Sequence, residues 1–372
     1  MNHLGKIWIC AIGTAICLGA HSPIAAKTVK VFILAGQSNM QGHGAIEGKN
    51  NDGKGSLTYL AENNDKFAHL RKGKSGWAER DDVMIAYLGR KGPLAPGYGA
   101  RSSMIGPELG FGHVVGDAID EPVLLIKTAW GGKSLHVDFR PPSAGGQVGP
   151  YYTEMVTYVK SVLDNMKKEF PKLGSDYEIA GFGWHQGWND GCDVGMSNAY
   201  EENMQHFIRD IRKEFGVEDL PFVVADSGFG GSKENSGRRF IIREAQAAAA
   251  KAKDLKNVHC VKTGSYFRPV EESPSKQGYH WNSNAETYYL IGEAMGKAML
   301  EMSASSSKKK ESRTNELYEF RNADGTKSFK ARLVKFDAAT GKVTVRKVGG
   351  RSTTFDLTHL HPDDQKYVKG RK

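Results

Sequence analysis

The sequence predicts an α/β fold built on a parallel sheet, followed by a small all-β unit. Three observations carry this reading. Apolar, β-branched runs of strand length alternate with stretches of helical periodicity as far as Met302, the pattern of strands joined by crossover helices. Several of these runs end abruptly in Gly and polar residues, which places polar groups at strand ends. From Ser303 onward 17 Lys and Arg stand against 8 Asp and Glu, the whole of the chain's excess of 9, while the first 302 residues hold 34 of each. The net positive charge is a property of the tail and not of the body.

Residues 1–26 read as a secretory signal. Lys6 gives the positive start, Ile7 to Ala20 is an apolar run, and Ile24-Ala25-Ala26 offers a small-residue cleavage site. The run is shorter than the roughly 20 residues that span a bilayer, so no transmembrane span is expected in the mature chain, and the location is secreted or periplasmic. Cleavage removes Cys10 and Cys17 and leaves Cys192 and Cys260. Two thiols in an oxidising compartment either pair or stay separate and buried, and two Cys make no metal-site spacing.

The elements follow in order. Val29 to Ala35 is a buried strand that stops at Gly36, with Ser38 just beyond its carboxyl end. In open α/β sheets that edge is where ligands bind. Residues 42–80 show little periodicity and read as a long loop. Pro107 to Ala118 reads as a helix with Pro in its first turn and Glu108 placed to meet the helix dipole. Pro122–Trp130 is a second buried strand, ending in Gly131-Gly132-Lys133-Ser134. Helical spacing of Met155, Val159, Val162, Leu163 and Met166 predicts a helix over 151–170. Tyr177 to His185 is a third strand, 199–215 a helix, Leu220–Asp226 a fourth strand, 240–253 an Ala-rich helix and Val258–Val261 a last short strand. His280 lies in a loop before a closing helix over 285–302.

Three stretches in this order resemble the signature blocks of SGNH hydrolases, in the branch of sialate O-acetylesterases and acetylxylan esterases. They are Gly36-Gln37-Ser38-Asn39-Met40, Trp184-His185-Gln186-Gly187 and the segment around His280. The resemblance implies a three-layer, flavodoxin-like SGNH fold for 27–302 and hydrolysis of O-acetyl esters on a carbohydrate. It makes Ser38 the nucleophile and His280 the general base, a role that suits imidazole because its ordinary pKa lies near working pH. It gives the oxyanion to the backbone amides of Ser38 and Gly132, with Gly131 as the alternative. A side-chain amide completes the hole, from Gln186 by the WHQG block or from Asn189 by the overlapping Gly187-Trp188-Asn189-Asp190. Gln37, Trp130, Trp184, His185 and Trp188 are expected to shape the sugar pocket. The substrate class is an acetylated carbohydrate, and no metal, cofactor or nucleic-acid partner is implied.

Two departures stand out. The family places Glu where this chain has Trp188, and Asp three residues before the His, where this chain has Gln277. The acid that would orient His280 is therefore sought elsewhere: Asp190 first, then Asp193, Glu271 and Glu272, or a Ser–His dyad assisted by a backbone carbonyl. The departures also support a rival reading, a non-catalytic carbohydrate-binding protein that kept the fold.

The tail divides into a Ser- and Lys-rich linker, 303–313, and a module over 314–372. Short strands at Leu317–Arg321, Phe329–Phe336, Lys342–Arg346 and Ser352–Leu357, with a helical turn at 361–368, predict a small β-barrel. The order resembles the Sla-homology, SH3-like module of bacterial secreted enzymes. Its positive charge suits a polyanionic surface or polymer.

Overall fold

A strand that is apolar on both faces must lie inside a sheet covered on both sides. The computed structural model describes residues 27–73, 76–233, 235–315, 317–347 and 352–370, so the expected signal segment lies outside the described residues. Val29–Gly36 (β1) is the central strand of a seven-stranded sheet. The others are Arg80–Tyr87 (β2), Arg90–Leu94 (β3), Val123–Ala129 (β4), Tyr177–His185 (β5), Phe222–Ala225 (β6) and Val258–Val261 (β7). Their order is β7-β6-β5-β1-β4-β2-β3, with every pairing parallel except the β2–β3 hairpin at one edge.

Alternation along β1 decides the layers. Val29, Val31, Ile33 and Ala35 join one core and Phe32 and Leu34 the other. The first is covered by Pro150–Asp164, Tyr200–Phe215 and Gly237–Ala249, the second by Pro107–Ala118 and the helix starting at Ala285. This is the three-layer α/β arrangement that the sequence predicts. In chain order the helices used below are Ser38–Gln41 (α1), Leu57–Asn63 (α2), Pro107–Ala118 (α3), Pro150–Asp164 (α4), Tyr200–Phe215 (α5), Gly237–Ala249 (α6) and Ala285–Asn315 (α7).

Three stretches differ from the expectation. Residues 42–80 are not structureless: Ser56 caps α2, and Leu57, Leu60, Phe67 and Leu70 are buried. The hairpin of β2 and β3 escapes sequence reading because its turn is Leu88-Gly89, with Leu88 at φ 43°, a conformation that turn residues such as Asn or Asp adopt more readily. The closing helix does not stop at Met302. It continues to Asn315 through 303–313, the stretch read as a linker, and the Ser303 and Ser305 hydroxyls donate to carbonyls one turn back. Beyond it, Leu317–Arg321, Ser328–Asp337, Lys342–Lys347 and Ser352–Asp356 form an antiparallel four-stranded sheet in sequential order. Pro362–Lys369 (α8) follows it. The sheet and helix bury Phe320, Leu333, Val343, Val345 and Val368 in a core of their own. Cys192 and Cys260 are free thiols. Among the described residues no helix is long and apolar enough to cross a membrane.

One buried ion pair ties the sheet to the loops above it. Lys127 of β4 and Glu108 of α3 are both fully buried and lie 2.6 Å apart. Lys127 Nζ also donates to the Gln41 and Tyr98 carbonyls at 2.7 Å each, and Glu108 Oε1 accepts from the Gly106 N–H at 2.7 Å. Burial pulls the Lys127 pKa down to about 8 although Glu108 works the other way. Glu108 thus does more than meet a helix dipole.

Lys127→Met should leave Glu108 buried without its cation and destabilise the fold by about 3–5 kcal/mol, read as a lowered denaturation midpoint. Lys127→Met combined with Glu108→Leu should recover part of that loss. An unchanged midpoint in the single variant would show that Glu108 is solvated or protonated in the folded state.

Candidate active site

From β1 the chain runs first to β2, β3 and β4 on one side of the sheet and then to β5, β6 and β7 on the other. The order reverses at β1, so a crevice opens at the carboxyl ends of β1, β4 and β5. Ser38 follows β1, Gly131 and Gly132 follow β4, and Gln186 follows β5. Three of the expected site segments therefore meet at one place. Ser38 is the first residue of α1 and is buried, with Gln37 Nε2 3.4 Å from its Oγ. A Cβ at Gly131 would come within 4.0 Å of the Ser38 Cβ and 3.0 Å of Gln41 Oε1, so the β4 turn passes close to the hydroxyl. Gly132 makes that turn in the left-handed region, at φ 68°.

Gln37 clamps the Trp184-His185-Gln186-Gly187 stretch to the Ser38 stretch. Its Oε1 accepts from the backbone N–H of Gly187 at 3.3 Å and of Asn189 at 3.2 Å, and from Gln186 Nε2 at 3.2 Å. Gln186 Nε2 also donates to the Lys133 carbonyl at 2.9 Å and to Asp190 Oδ2 at 2.5 Å, while its Oε1 accepts from the Tyr200 hydroxyl at 3.0 Å. Three acceptors surround two amide hydrogens, so Gln186 has no N–H left for an oxyanion. By contrast the Asn189 side chain and the backbone N–H groups of Ser38, Gly131 and Gly132 have no acceptor among the described hydrogen bonds.

Asp190 belongs to this network. Its carboxylate is fully buried and accepts from the Leu135 N–H at 2.8 Å, the His136 N–H at 2.9 Å and Gln186. Burial raises its pKa to about 6, opposed by those hydrogen bonds. None of its hydrogen bonds reaches His280. The expected role as the acid behind the base gives way to another: Asp190 fixes Gln186 and the 135–136 backbone. The other candidates do not reach His280 either. Asp193 caps the short helix Val194–Asn198, and Glu271 and Glu272 are exposed.

His280 sits in the turn Gly278–Ser283, where Trp281, Asn282 and Ser283 have φ of 52°, 55° and 57°. Three consecutive non-Gly residues in the left-handed region cost about 1–3 kcal/mol each. The turn is held by full burial of Trp281, by Asn282 Nδ2 donating to the Arg268 carbonyl at 3.0 Å, and by the Ser275 N–H donating to the Asn282 carbonyl at 2.9 Å. Two further bonds join it to the Ser38 turn: Asn39 Nδ2 donates to the Tyr279 carbonyl at 3.1 Å, and the Tyr288 hydroxyl donates to Asn39 Oδ1 at 2.9 Å. Ser38 and His280 each lie one residue from the Asn39–Tyr279 bond. His280 is half-buried, and burial lowers its pKa to about 4. Its Nδ1 is buried with no hydrogen-bond partner, and the Gln277 carbonyl accepts from the His280 backbone N–H instead.

The aromatic residues divide. Trp184 is fully buried core with Nε1 donating to the Tyr200 hydroxyl, so it is no pocket wall. His185 is also buried, its Nδ1 3.0 Å from the Ala225 carbonyl, and it lies beneath the site. Trp130 is half-buried against Tyr151 and Phe139. Trp188 is half-buried: its ring centroid is 5.2 Å from that of Tyr279 and 5.1 Å from that of Phe229, and Arg239 lies over its face. Beside it opens a cleft of about 360 Å³ lined by Trp188, Cys192, Arg238 and Arg239. Sequence reasoning missed Tyr279 and His43. The ring of His43 stacks on His280 at 3.8 Å with the planes 9° apart. The only signal was its position five residues after Ser38.

A family model described as carbohydrate esterase, sialic acid-specific acetylesterase matches residues 28–301. A curated relative named "Probable carbohydrate esterase" from Arabidopsis thaliana is 23% identical over 235 residues, which is 62% of this chain and 78% of that protein. A crystal structure of that Arabidopsis protein superposes with a TM-score of 0.50 at 18% identity, over 74% of this chain and 98% of the other. A carbohydrate acetylesterase from Xanthomonas citri aligns with a TM-score of 0.47 at 14% identity, over 90% of this chain and 72% of its own.

Burial lowers the pKa of His43, His113, His185 and His280 from 6.5 to about 4 each. Between those values the unfolded chain binds more protons than the folded one, so stability should fall as pH drops from 6.5 toward 4. Asp190, raised from 3.8 to about 6, works the other way over part of that range. Four groups against one make the net effect a loss, seen as a lower melting temperature at pH 5 than at pH 7. A higher one would mean that these imidazoles are charged in the folded protein.

Proposed function

The chain belongs to the carbohydrate esterase, sialic acid-specific acetylesterase family, and on that premise we propose that it is a secreted serine esterase removing O-acetyl groups from a carbohydrate. The observation that carries the reading is the tether between the two reacting turns. The Asn39–Tyr279 and Tyr288–Asn39 hydrogen bonds bring the Ser38 turn and the His280 turn together at the switch point of the sheet.

In the proposed reaction Ser38 Oγ attacks the acetyl carbonyl and its proton passes to His280. The oxyanion is received by the free N–H groups of Ser38 and Gly132, or of Gly131, with the Asn189 amide as the side-chain donor. Removing one such donor typically costs about 10²–10³ in rate. Collapse of the tetrahedral intermediate expels the sugar oxygen, which takes the proton from His280. Water, deprotonated by the same imidazole, then releases acetate and restores Ser38. The faces of Trp188 and Tyr279 suit a sugar ring. Burial keeps His280 neutral and able to take a proton at working pH, and its lowered pKa makes it a weaker base than an ordinary imidazole. The unpartnered Nδ1 of His280 is also what favours the rival, a carbohydrate-binding protein without turnover.

The basic C-terminal sheet is proposed to hold the enzyme on a polyanionic polymer. A chain ending at Asn315 should turn over a small soluble ester at an unchanged rate and lose retention on such a polymer, most clearly at low salt. Loss of small-ester turnover would instead make the C-terminal sheet part of the catalytic unit.

Release of p-nitrophenol from its acetate ester tests the activity directly. Ser38→Ala should reduce it more than about 10³-fold, with folding stability within about 1 kcal/mol because the hydroxyl has one long hydrogen bond. An organophosphate should label Ser38 in the parent chain and not in the variant. A parent protein that neither turns over acetylated sugars nor takes the label would establish the binding-protein reading.

A further inference from the structure

We propose that His43 is the positioning residue of this site: its ring, face to face with His280, holds the base in the plane where a carboxylate would otherwise orient it. The inference rests on the esterase reading above. The two rings are 3.8 Å apart and within 9° of parallel, and Tyr279 meets the His280 ring at 4.5 Å and 59°. His280 is thus gripped by one aromatic face and one tilted ring, while its Nδ1 has no hydrogen-bond partner.

The backbone under His43 has little freedom to shift. A Cβ at Gly42 would fall 2.0 Å from the Gly106 Cα, and one at Gly44 would fall 2.9 Å from the Ile105 side chain and 3.1 Å from the Ala285 Cα. Gly42, at φ 88°, and Gly44 therefore thread His43 between the start of α3 and the start of α7. The His280 turn leads directly into α7. One frame fixes both rings.

The stack also has an electrostatic consequence. When His280 takes the Ser38 proton it becomes a cation lying on a neutral aromatic face, an arrangement that attracts. A second proton on His43 would place two cations 3.8 Å apart. The charged groups that bear on His43 are Arg101, Lys127 and His280, and all disfavour its protonation; Tyr288 meets it from α7 and Tyr279 stands on the other ring. The pair can hold one proton, and His280 is the member assigned as the base, its turn tied to the Ser38 turn by the Asn39–Tyr279 hydrogen bond. Stacking fixes the plane of a ring but not its tautomer, so this device orients the base without selecting the nitrogen that carries the hydrogen.

The test compares His43→Ala and His43→Phe in the full chain, with circular dichroism and melting temperature to confirm folding. His43→Ala should lower kcat about 10- to 100-fold with KM within about twofold, the scale expected when a reacting group is loosened. His43→Phe keeps the aromatic face and should restore kcat to within about threefold of the parent. Side-chain NMR signals of His280 should be single in the parent and in His43→Phe, and broadened or doubled in His43→Ala. A folded His43→Ala with parental kcat, a His43→Phe as slow as His43→Ala, or unchanged His280 signals would each overturn the assignment. The NMR comparison needs no substrate, so it judges the stack even if the parent proves to hydrolyse no ester.

Discussion

The site depends on a lysine buried in the middle of a sheet. Lys127 of β4 is fully enclosed, and its ammonium meets Glu108 and two backbone carbonyls. One of those carbonyls is Gln41, the end of the helix that Ser38 begins; Glu108 in turn holds the Gly106 N–H, and Gly42 packs against Gly106. A single cation therefore ties the Ser38 turn, the start of α3 and the His43 segment to the central sheet. Pairing two buried charges gains little net stability against the cost of desolvating them. What it gives here is fixed geometry, because neither partner has water to turn to.

Above that anchor, polar side chains do the assembly. Gln37 presents one carbonyl oxygen to three donors from the loop after β5, and Asp190 presents two oxygens to the loop after β4 and to Gln186. Gln186 lies between them as a bridge. Each bond is worth about 1 kcal/mol net, but leaving any one of these buried groups unpaired costs about 1–3 kcal/mol. The network is therefore stiffer than the sum of its bonds, and it sets the approach of Gly131 and Gly132 to Ser38. The His280 turn obeys the same balance. Its left-handed residues are strained by an amount comparable to the burial of Trp281 and the hydrogen bonds of Asn282 together, which accounts for a geometry that the local sequence would not choose.

His280, the proposed base, lies among rings rather than carboxylates. Burial lowers its pKa, and the ring of His43 stacks on it while its Nδ1 has no hydrogen-bond partner. Asp190, the nearest acid along the chain to the Trp184–Gly187 stretch, is occupied in holding Gln186 and the 135–136 backbone.

Much of this was legible before folding. The two-sided apolar runs at Val29–Ala35 and Val123–Ala129 determined a covered parallel sheet, and their Gly-terminated ends determined where chemistry would gather, because both follow from local pattern. The start of α3 at Pro107 was readable from its first-turn proline. The hairpin at β2–β3 was not, since Leu88 adopts a turn conformation only under the pairing of its flanking strands. The extension of α7 through 303–313 was hidden by a composition that favours linkers. The contacts of Asp190, Gln186, Trp184 and His43 were decided only in three dimensions. Sequence names the groups that can donate, accept or stack. Which of them meet depends on contacts between residues some 50 to 240 positions apart, such as Leu135 with Asp190 and Asn39 with Tyr279, and no local pattern encodes those.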